Sequence, residues 1–271
     1  MQRTVFFISD GTAITTETLG HSLLTQFPDV QFKQTRIPFV SDSGKARDAV
    51  LNINAACQEN GAPAIVILSI VDKVSRQIIK NSSAICLDLF ADFIDTLEQA
   101  LGVERRATVG QVHSVANLER YEERMEATNY ALTHDDGISL SYDHADLILV
   151  GISRSGKTPT CLYMGLHFGV KAANYPLTES DLERQRLPTF LRRHKKKIIG
   201  LMIDADRLAQ IRETRRPSSR YASLKNCHWE VDAAESLLRA EGTPIFQTTH
   251  SSIEEIASRV LLQLGLQREM F

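Results

Sequence analysis

Nowhere in the 271 residues does an uninterrupted apolar run approach the ~18 that a bilayer-spanning helix needs, so a membrane-embedded protein is not expected. An excess of charge of either sign is missing too. Lys and Arg number 31 against 33 Asp and Glu, a formal net charge of −2, which argues against a nucleic-acid binder working through a broad basic surface. Cysteine is sparse: Cys57, Cys86, Cys161 and Cys227 stand far apart, with no Cys-x-x-Cys pair. Disulfide frameworks and zinc sites need closer grouping, so reduced, mostly buried thiols are expected. There is no internal repeat, no low-complexity segment, and no Asn-Lys-x-Asp segment of the kind that reads guanine, which weakens a GTPase reading. The opening residues start like a signal peptide, but Asp10 comes early and no small-residue cleavage site follows, so they read as a first strand. What is present, 43% hydrophobic and 24% charged residues, is ordinary for a globular chain long enough for one or two domains. A cytoplasmic enzyme is the class that fits.

The most informative segment is Gly151, Ile152, Ser153, Arg154, Ser155, Gly156, Lys157 and Thr158, which matches the phosphate-loop pattern G-x-x-x-x-G-K-[ST]. Residues 146–151 before it read as a buried strand and 160–168 after it as a helix, the context such a loop requires. Glycines let the backbone wrap so that successive N–H groups point inward at phosphate oxygens, and the helix start adds its positive dipole end. Lys157 is expected to reach the terminal phosphates and the Thr158 hydroxyl to hold Mg²⁺. Pro159 suits a first helical turn, where a missing N–H costs little.

Around this loop the chain alternates strand and helix signals. Strands are expected over 5–9, 30–39 and 64–71, with helices over 15–26 and 45–58 between them, a βαβαβ pattern that implies a parallel sheet. Further helices are expected over 87–101 and 118–132, joined by a polar stretch around 108–117 that marks a domain boundary. Later elements are a strand over 197–203, a helix over 206–215 stopped by Pro217, a short strand over 244–247, and a helix over 251–264 opened by the capping pattern Ser251-Ser-Ile-Glu254. The expected fold class is therefore α/β, with an N-terminal parallel α/β domain over 1–110 followed by a P-loop kinase-like α/β domain over 111–271.

Other constellations could carry chemistry. Ser9, Asp10, Gly11 and Thr12 form a strand-to-helix turn where open α/β sheets place ligands; the same residue types also serve as a plain helix cap. His134, Asp135, Asp136 and Gly137 end a helix shortly before the loop strand, and a paired carboxylate there could accept a hydroxyl proton or contact Mg²⁺. Asp204 follows an apolar strand, as the Mg²⁺-organising acid does in many phosphate-loop proteins, with Asp206 as an alternative helix cap. Arg212, Arg215 and Arg216, spaced for one helical face, and Arg220 could clamp a transferring phosphate, or form a solvated basic face. The basic run over 192–197 reads as a solvated loop, and the lone Trp229 as core. Together these residues point toward a kinase.

With those residues assembled, the chain resembles the bacterial phosphoenolpyruvate synthase regulatory proteins, relatives of the pyruvate, phosphate dikinase regulatory proteins. The resemblance spans nearly the whole chain. It rests on Phe7-Ile-Ser-Asp-Gly-Thr-Ala-Ile-Thr15, Leu19-Gly-His21, Ala131-Leu-Thr-His-Asp-Asp-Gly-Ile-Ser-Leu140, the loop through Thr160, Ala172-Ala-Asn-Tyr-Pro176 and Ser219-Arg-Tyr-Ala-Ser223. It implies a bifunctional enzyme: a serine/threonine kinase that uses ADP to phosphorylate and inactivate phosphoenolpyruvate synthase, and a phosphorylase that uses inorganic phosphate to reverse this, releasing pyrophosphate. The nucleotide segment of that family maps onto residues 151–158, and inorganic phosphate would need a second anion site, for which Ser9 to Thr12 or the arginines are candidates. The other readings are a small-molecule kinase and a non-enzymatic adenine-nucleotide sensor. Oligomeric state stays open, a homodimer included.

Overall fold

Val5, Phe6, Phe7 and Ile8 follow one another without a polar break, and the strand they build, β1 (Gln2–Ser9), is buried on both faces from Thr4 onward. A computed structural model of the chain describes residues 2–89, 91–104 and 118–266. The expected boundary between residues 110 and 111, and the polar stretch 108–117, lie outside them. The chain divides into two compact units, Met1–Ser114 and Val115–Phe271.

In the first unit β1 lies between β2 (Gln31–Ile37) and β3 (Ile65–Ser69), with β4 (Ile85–Asp88) at the edge beyond β3, giving a parallel sheet of order β2-β1-β3-β4. The connections are α1 (Ile14–Leu24), α2 (Ser43–Asn60) and α3 (Lys73–Lys80), and α4 (Ala91–Leu101) follows β4. Side-chain alternation assigns the helices to faces. Phe6, Ile8, Val66 and Leu68 pack with Ala46, Ala49 and Ile53 of α2 and Ile79 of α3, whereas Val5, Phe7 and Ile67 pack with Leu24 of α1. α1 presses close enough that a Cβ on Gly20 would stand 2.3 Å from a Phe7 ring carbon. Asp42 and Asp72 cap α2 and α3 by accepting from backbone N–H groups of their first turns. The helix expected over 87–101 is shorter than its signal. Ile85–Asp88 is an edge strand, and Asp88 Oδ1 accepts from the Ala91 N–H to open α4.

The second unit begins with α5 (Leu118–Thr133) and continues through β5 (Leu147–Gly151), α6 (Lys157–Phe168), β6 (Ala172–Pro176), α7 (Glu179–Arg184), α8 (Thr189–Arg192), β7 (Ile198–Met202), α9 (Ala205–Arg215), α10 (Leu224–Ala240), β8 (Ile245–Gln247) and α11 (Ile253–Leu264). Its sheet is again parallel, in the order β6-β5-β7-β8. Taken in chain order the strands run second, first, third, fourth, as in the first unit, although the sequence carries no repeat. β5 and β7 are buried throughout. Ile148, Val150, Ile198 and Met202 face the layer that holds α7 to α10, while Leu147, Leu149, Ile199 and Leu201 face α6 and α11. Such an order has its first connections running to opposite sides of the first strand, which opens a crevice at the carboxyl ends of the first and third strands. In this unit that crevice lies at the ends of β5 and β7.

The elements α3, β4, β6, α7, α8 and α10 were not among those expected from the sequence. β6 is spelled Ala-Ala-Asn-Tyr-Pro, without a β-branched residue, and α10 buries Cys227, Ala234, Leu237 and Leu238 among charged neighbours. The capping box of the last helix falls one residue later than expected, at Ser252 and Glu255. All four cysteines are free, Cys161 and Cys227 buried and the other two half-buried. Among the described residues no helix is long and apolar enough to cross a membrane.

Candidate active site

Gly151 closes β5 where the loop must pass against β7: a Cβ there would stand 2.3 Å from the Leu201 carbonyl oxygen. The backbone then turns through a left-handed Arg154, with φ of 77°, and a left-handed Gly156, with φ of 88°. Glycine takes that conformation freely, whereas an arginine pays about 1–2 kcal/mol for it, a strain that tends to persist at ligand clamps. Gly156 is the N-cap of α6, and no side chain caps the helix, so its first N–H groups face the loop interior. The helix starts at Lys157, three residues before the expected 160. Ser155 is buried inside the turn, and its hydroxyl has no partner among the described residues.

Lys157 is only 4% exposed, and its Nζ donates to the Ile152 carbonyl at 2.9 Å. Burial pulls its pKa down to about 8, with the nearby Asp136 charge acting in the opposite direction. An ammonium held dry beside the loop backbone is a charge kept ready for an anion.

The acidic pair arrives from the end of α5. Thr158 Oγ1 donates to Asp135 Oδ1 at 2.8 Å, so the carboxylate rests on the loop hydroxyl expected to meet Mg²⁺. The turn that carries Asp135 is fastened by Asn174, a fully buried residue of β6 paired with Leu149 of β5. The Asn174 amide nitrogen donates to Asp135 Oδ1 in a short hydrogen bond and lies 3.5 Å from Thr158 Oγ1; its amide oxygen accepts from the Asp136 N–H at 3.0 Å. Its backbone N–H donates to the His134 carbonyl at 3.1 Å. Asp136, with φ of 46°, and Gly137, with φ of 75°, complete the reversal. The His134 ring stacks on Tyr130 at 3.8 Å and its Nε2 lies 3.1 Å from the Ser141 carbonyl, so it anchors the turn. Asn174 is the member of the site that residue-level reasoning missed. Its signal was a lone amide in an otherwise apolar stretch.

Asp204 stands exposed at the start of α9, beside Asp206 in its first turn, and its N–H donates to Thr249 Oγ1 at 2.9 Å. The carboxylate bonded to Thr158 is thus Asp135 and not Asp204. A hydroxyl and a carboxylate side by side are hard oxygen donors suited to Mg²⁺ shared with substrate phosphates. Among the described residues no group of three or more His, Cys, Asp or Glu could hold a metal ion.

The arginines do not share one face. Arg212 is fully buried, forked onto Glu230 at 2.9 and 2.6 Å, bonded to the Ser153 and Tyr221 carbonyls at 3.1 Å each, and stacked 4.0 Å over the Tyr221 ring. It fastens the loop to the α9–α10 layer, and Ser153 Oγ adds a 2.9 Å hydrogen bond to the Tyr221 hydroxyl. Arg215 and Arg216 are exposed, the latter already outside the helix, and Arg220 is exposed with a 3.1 Å ion pair to Glu179. Trp229, expected in the core, is 40% exposed. The run over 192–197 folds into the end of α8 and a 3₁₀ turn rather than a loop, with Lys197 Nζ donating to the Ala145 carbonyl at 2.6 Å.

In the first unit, the turn after β1 is organised by hydroxyls. Thr16 bonds Ser69, Ser69 bonds Ser9, and Ser9 Oγ accepts from the Gly11 N–H at 3.1 Å. Asp10 accepts from the Val71 N–H at 2.7 Å, and Thr12 is exposed. These contacts stiffen the carboxyl ends of β1 and β3.

The family model described as kinase/pyrophosphorylase matches residues 5–261. A protein of Stenotrophomonas maltophilia (strain K279a) is 54% identical over 269 residues, covering 99% of this chain and 98% of that protein. Proteins of Xanthomonas campestris pv. campestris (strain B100) and Xanthomonas oryzae pv. oryzae (strain MAFF 311018) are 52% and 51% identical over the same coverage. All three are provisionally named phosphoenolpyruvate synthase regulatory protein.

Proposed function

The chain belongs to the kinase/pyrophosphorylase family, and from that premise we propose that it regulates phosphoenolpyruvate synthase by two opposed phosphoryl transfers in one cradle. In the inactivating direction a threonine hydroxyl of the synthase attacks the β-phosphorus of ADP. The bond to the bridging oxygen breaks, AMP leaves, and the hydroxyl proton passes to a carboxylate. In the reactivating direction an oxygen of inorganic phosphate attacks the phosphothreonine phosphorus. The bond from that phosphorus to the threonine oxygen breaks, the threonine oxygen takes up a proton, and pyrophosphate is the product.

The observation that carries this reading is the placement, on one loop, of a dry Lys157 ammonium and of Thr158 bonded to Asp135. Phosphoryl transfer asks a protein mainly for position and charge. In both directions a terminal phosphate rests on the N–H groups of residues 153–158, with Lys157 offsetting its charge. Mg²⁺, when bound, would be held by Thr158 and Asp135 and would neutralise the phosphate oxygens. Asp135 is already engaged by two donors, which leaves the exposed Asp136, close enough to Lys157 to act on its titration, as the proton acceptor. The test is incubation of the purified protein with phosphoenolpyruvate synthase and ADP labelled in the β-phosphate. Label in a threonine of the synthase, later released as pyrophosphate when unlabelled phosphate is added, is the expected result. Label transfer from ATP to a metabolite, or ADP binding with no transfer, would replace this reading by a small-molecule kinase or a nucleotide sensor.

A further inference from the structure

Beside the phosphate loop the second unit opens into a cleft of about 400 Å³ that has Ser153 at one end and Trp229 on its wall. We propose that this cleft is the acceptor subsite, which seats the hydroxyl-bearing segment of the protein substrate with an apolar side chain of that segment against Trp229. The proposal rests on the kinase reading above and adds to it where the second reactant binds.

Position supplies the first argument. Lys157 Nζ bonds the Ile152 carbonyl, so the charge meant for the terminal phosphate sits next to Ser153, the residue the cleft shares with the loop. In-line transfer needs the incoming hydroxyl on the side of the phosphorus opposite the leaving group, so an acceptor seated in the cleft requires the nucleoside of ADP to lie outside it.

The lining supplies the second. Leu177, Leu182 and Trp229 give an apolar wall, while the exposed Arg220–Glu179 pair gives a donor and an acceptor at the rim. An apolar floor with a polar rim and an aromatic anchor is what an interface pocket for a peptide segment needs. The wall is rigid, because Arg212, Glu230 and Tyr221 tie it to Ser153.

Trp229 is the single tryptophan of the chain, so its emission reports on the cleft alone. Saturating ADP with Mg²⁺ is expected to leave that emission nearly unchanged, whereas strong saturable quenching by ADP would put the base in the cleft and overturn the proposal. Trp229→Ala and Arg220→Glu, both at exposed positions, are expected to raise the KM for phosphoenolpyruvate synthase about tenfold, with the KM for ADP within about twofold of wild type. Direct binding of the synthase, measured without nucleotide, should weaken in parallel. Wild-type KM and binding in both variants would overturn the cleft and leave the kinase reading intact. Trp229-dependent binding of the synthase with no transfer from ADP would remove the kinase reading and leave the cleft as a docking site; neither binding nor transfer by wild type would overturn both.

Discussion

Lys157 carries the largest electrostatic stake of any residue in the loop, because its charge is held in a dry site until an anion arrives. With a pKa near 8, the ammonium is intact below that pH and lost above it. A bound phosphate favours the charged form and raises that pKa, so binding takes up a proton once the free lysine has lost its own. ADP affinity is therefore expected to be flat up to about pH 7.5 and to fall by up to tenfold per pH unit above 8. Titration calorimetry from pH 6.5 to 9.5 measures this, and an affinity unchanged across the range would contradict it. Asn174 offers a second test, because it acts only through its neighbours. Asn174→Ala should release the Asp135 turn and reduce kcat by about 10- to 100-fold, the usual scale for losing a partner that orients a metal-binding group. The apparent Mg²⁺ requirement should rise with it, a change that mere destabilisation of the fold would not produce. Asp136→Asn should instead lower kcat by about 10²-fold or more with ADP affinity retained, as loss of a proton acceptor does. Lys157 and Thr158 were singled out by the fixed spacing of the loop, and Asp135 by the acidic pair beside His134, with Asp136 and Asp204 standing as alternatives. Asn174 was not, because its partners lie 16 to 40 residues away in sequence and meet it only through strand pairing.

At the scale of elements, the loop is shaped by what lies behind it. Gly151 lets β5 run against β7, and Gly151→Ala would drive a Cβ into the Leu201 carbonyl, a backbone group with little freedom to move. The buried Arg212–Glu230 fork fixes the other side. Arg212→Ala would leave Glu230, 16% exposed, without its partner, and breaking such a pair typically costs about 3–5 kcal/mol. Thermal unfolding should show a Tm several degrees lower for that variant, and a Tm equal to wild type would refute the structural role assigned to Arg212. The same contact explains why an arginine spaced for a phosphate clamp is not one: helical spacing gives the face a residue occupies but not whether a later helix covers that face. α10 is that covering helix, and its mixed composition hid it, as the brevity of β4 and the unbranched residues of β6 hid them. The long apolar strands β1, β3, β5 and β7 were plain, because strands buried on both faces of a parallel sheet must be apolar throughout.

At the scale of the molecule, two units with the same strand order each present a polar turn at the carboxyl end of the first strand, but with different equipment. The first unit offers a chain of hydroxyls; the second offers N–H groups, a buried ammonium and a carboxylate. Hydrogen exchange should register the difference. ADP with Mg²⁺ is expected to slow exchange over residues 151–158, 134–137 and 172–176 of the second unit, and no protection there would contradict the site as placed. The claim at the centre is that a single cradle serves both reactions, and the most direct measurement is the pair of rates, ADP-dependent phosphorylation and phosphate-dependent dephosphorylation of phosphoenolpyruvate synthase, in Lys157→Ala. Both are predicted to fall together by at least about 10²-fold, the scale for removing a preorganised charge from a transferring group. Either activity surviving at the wild-type rate would mean two sites, and would contradict the account.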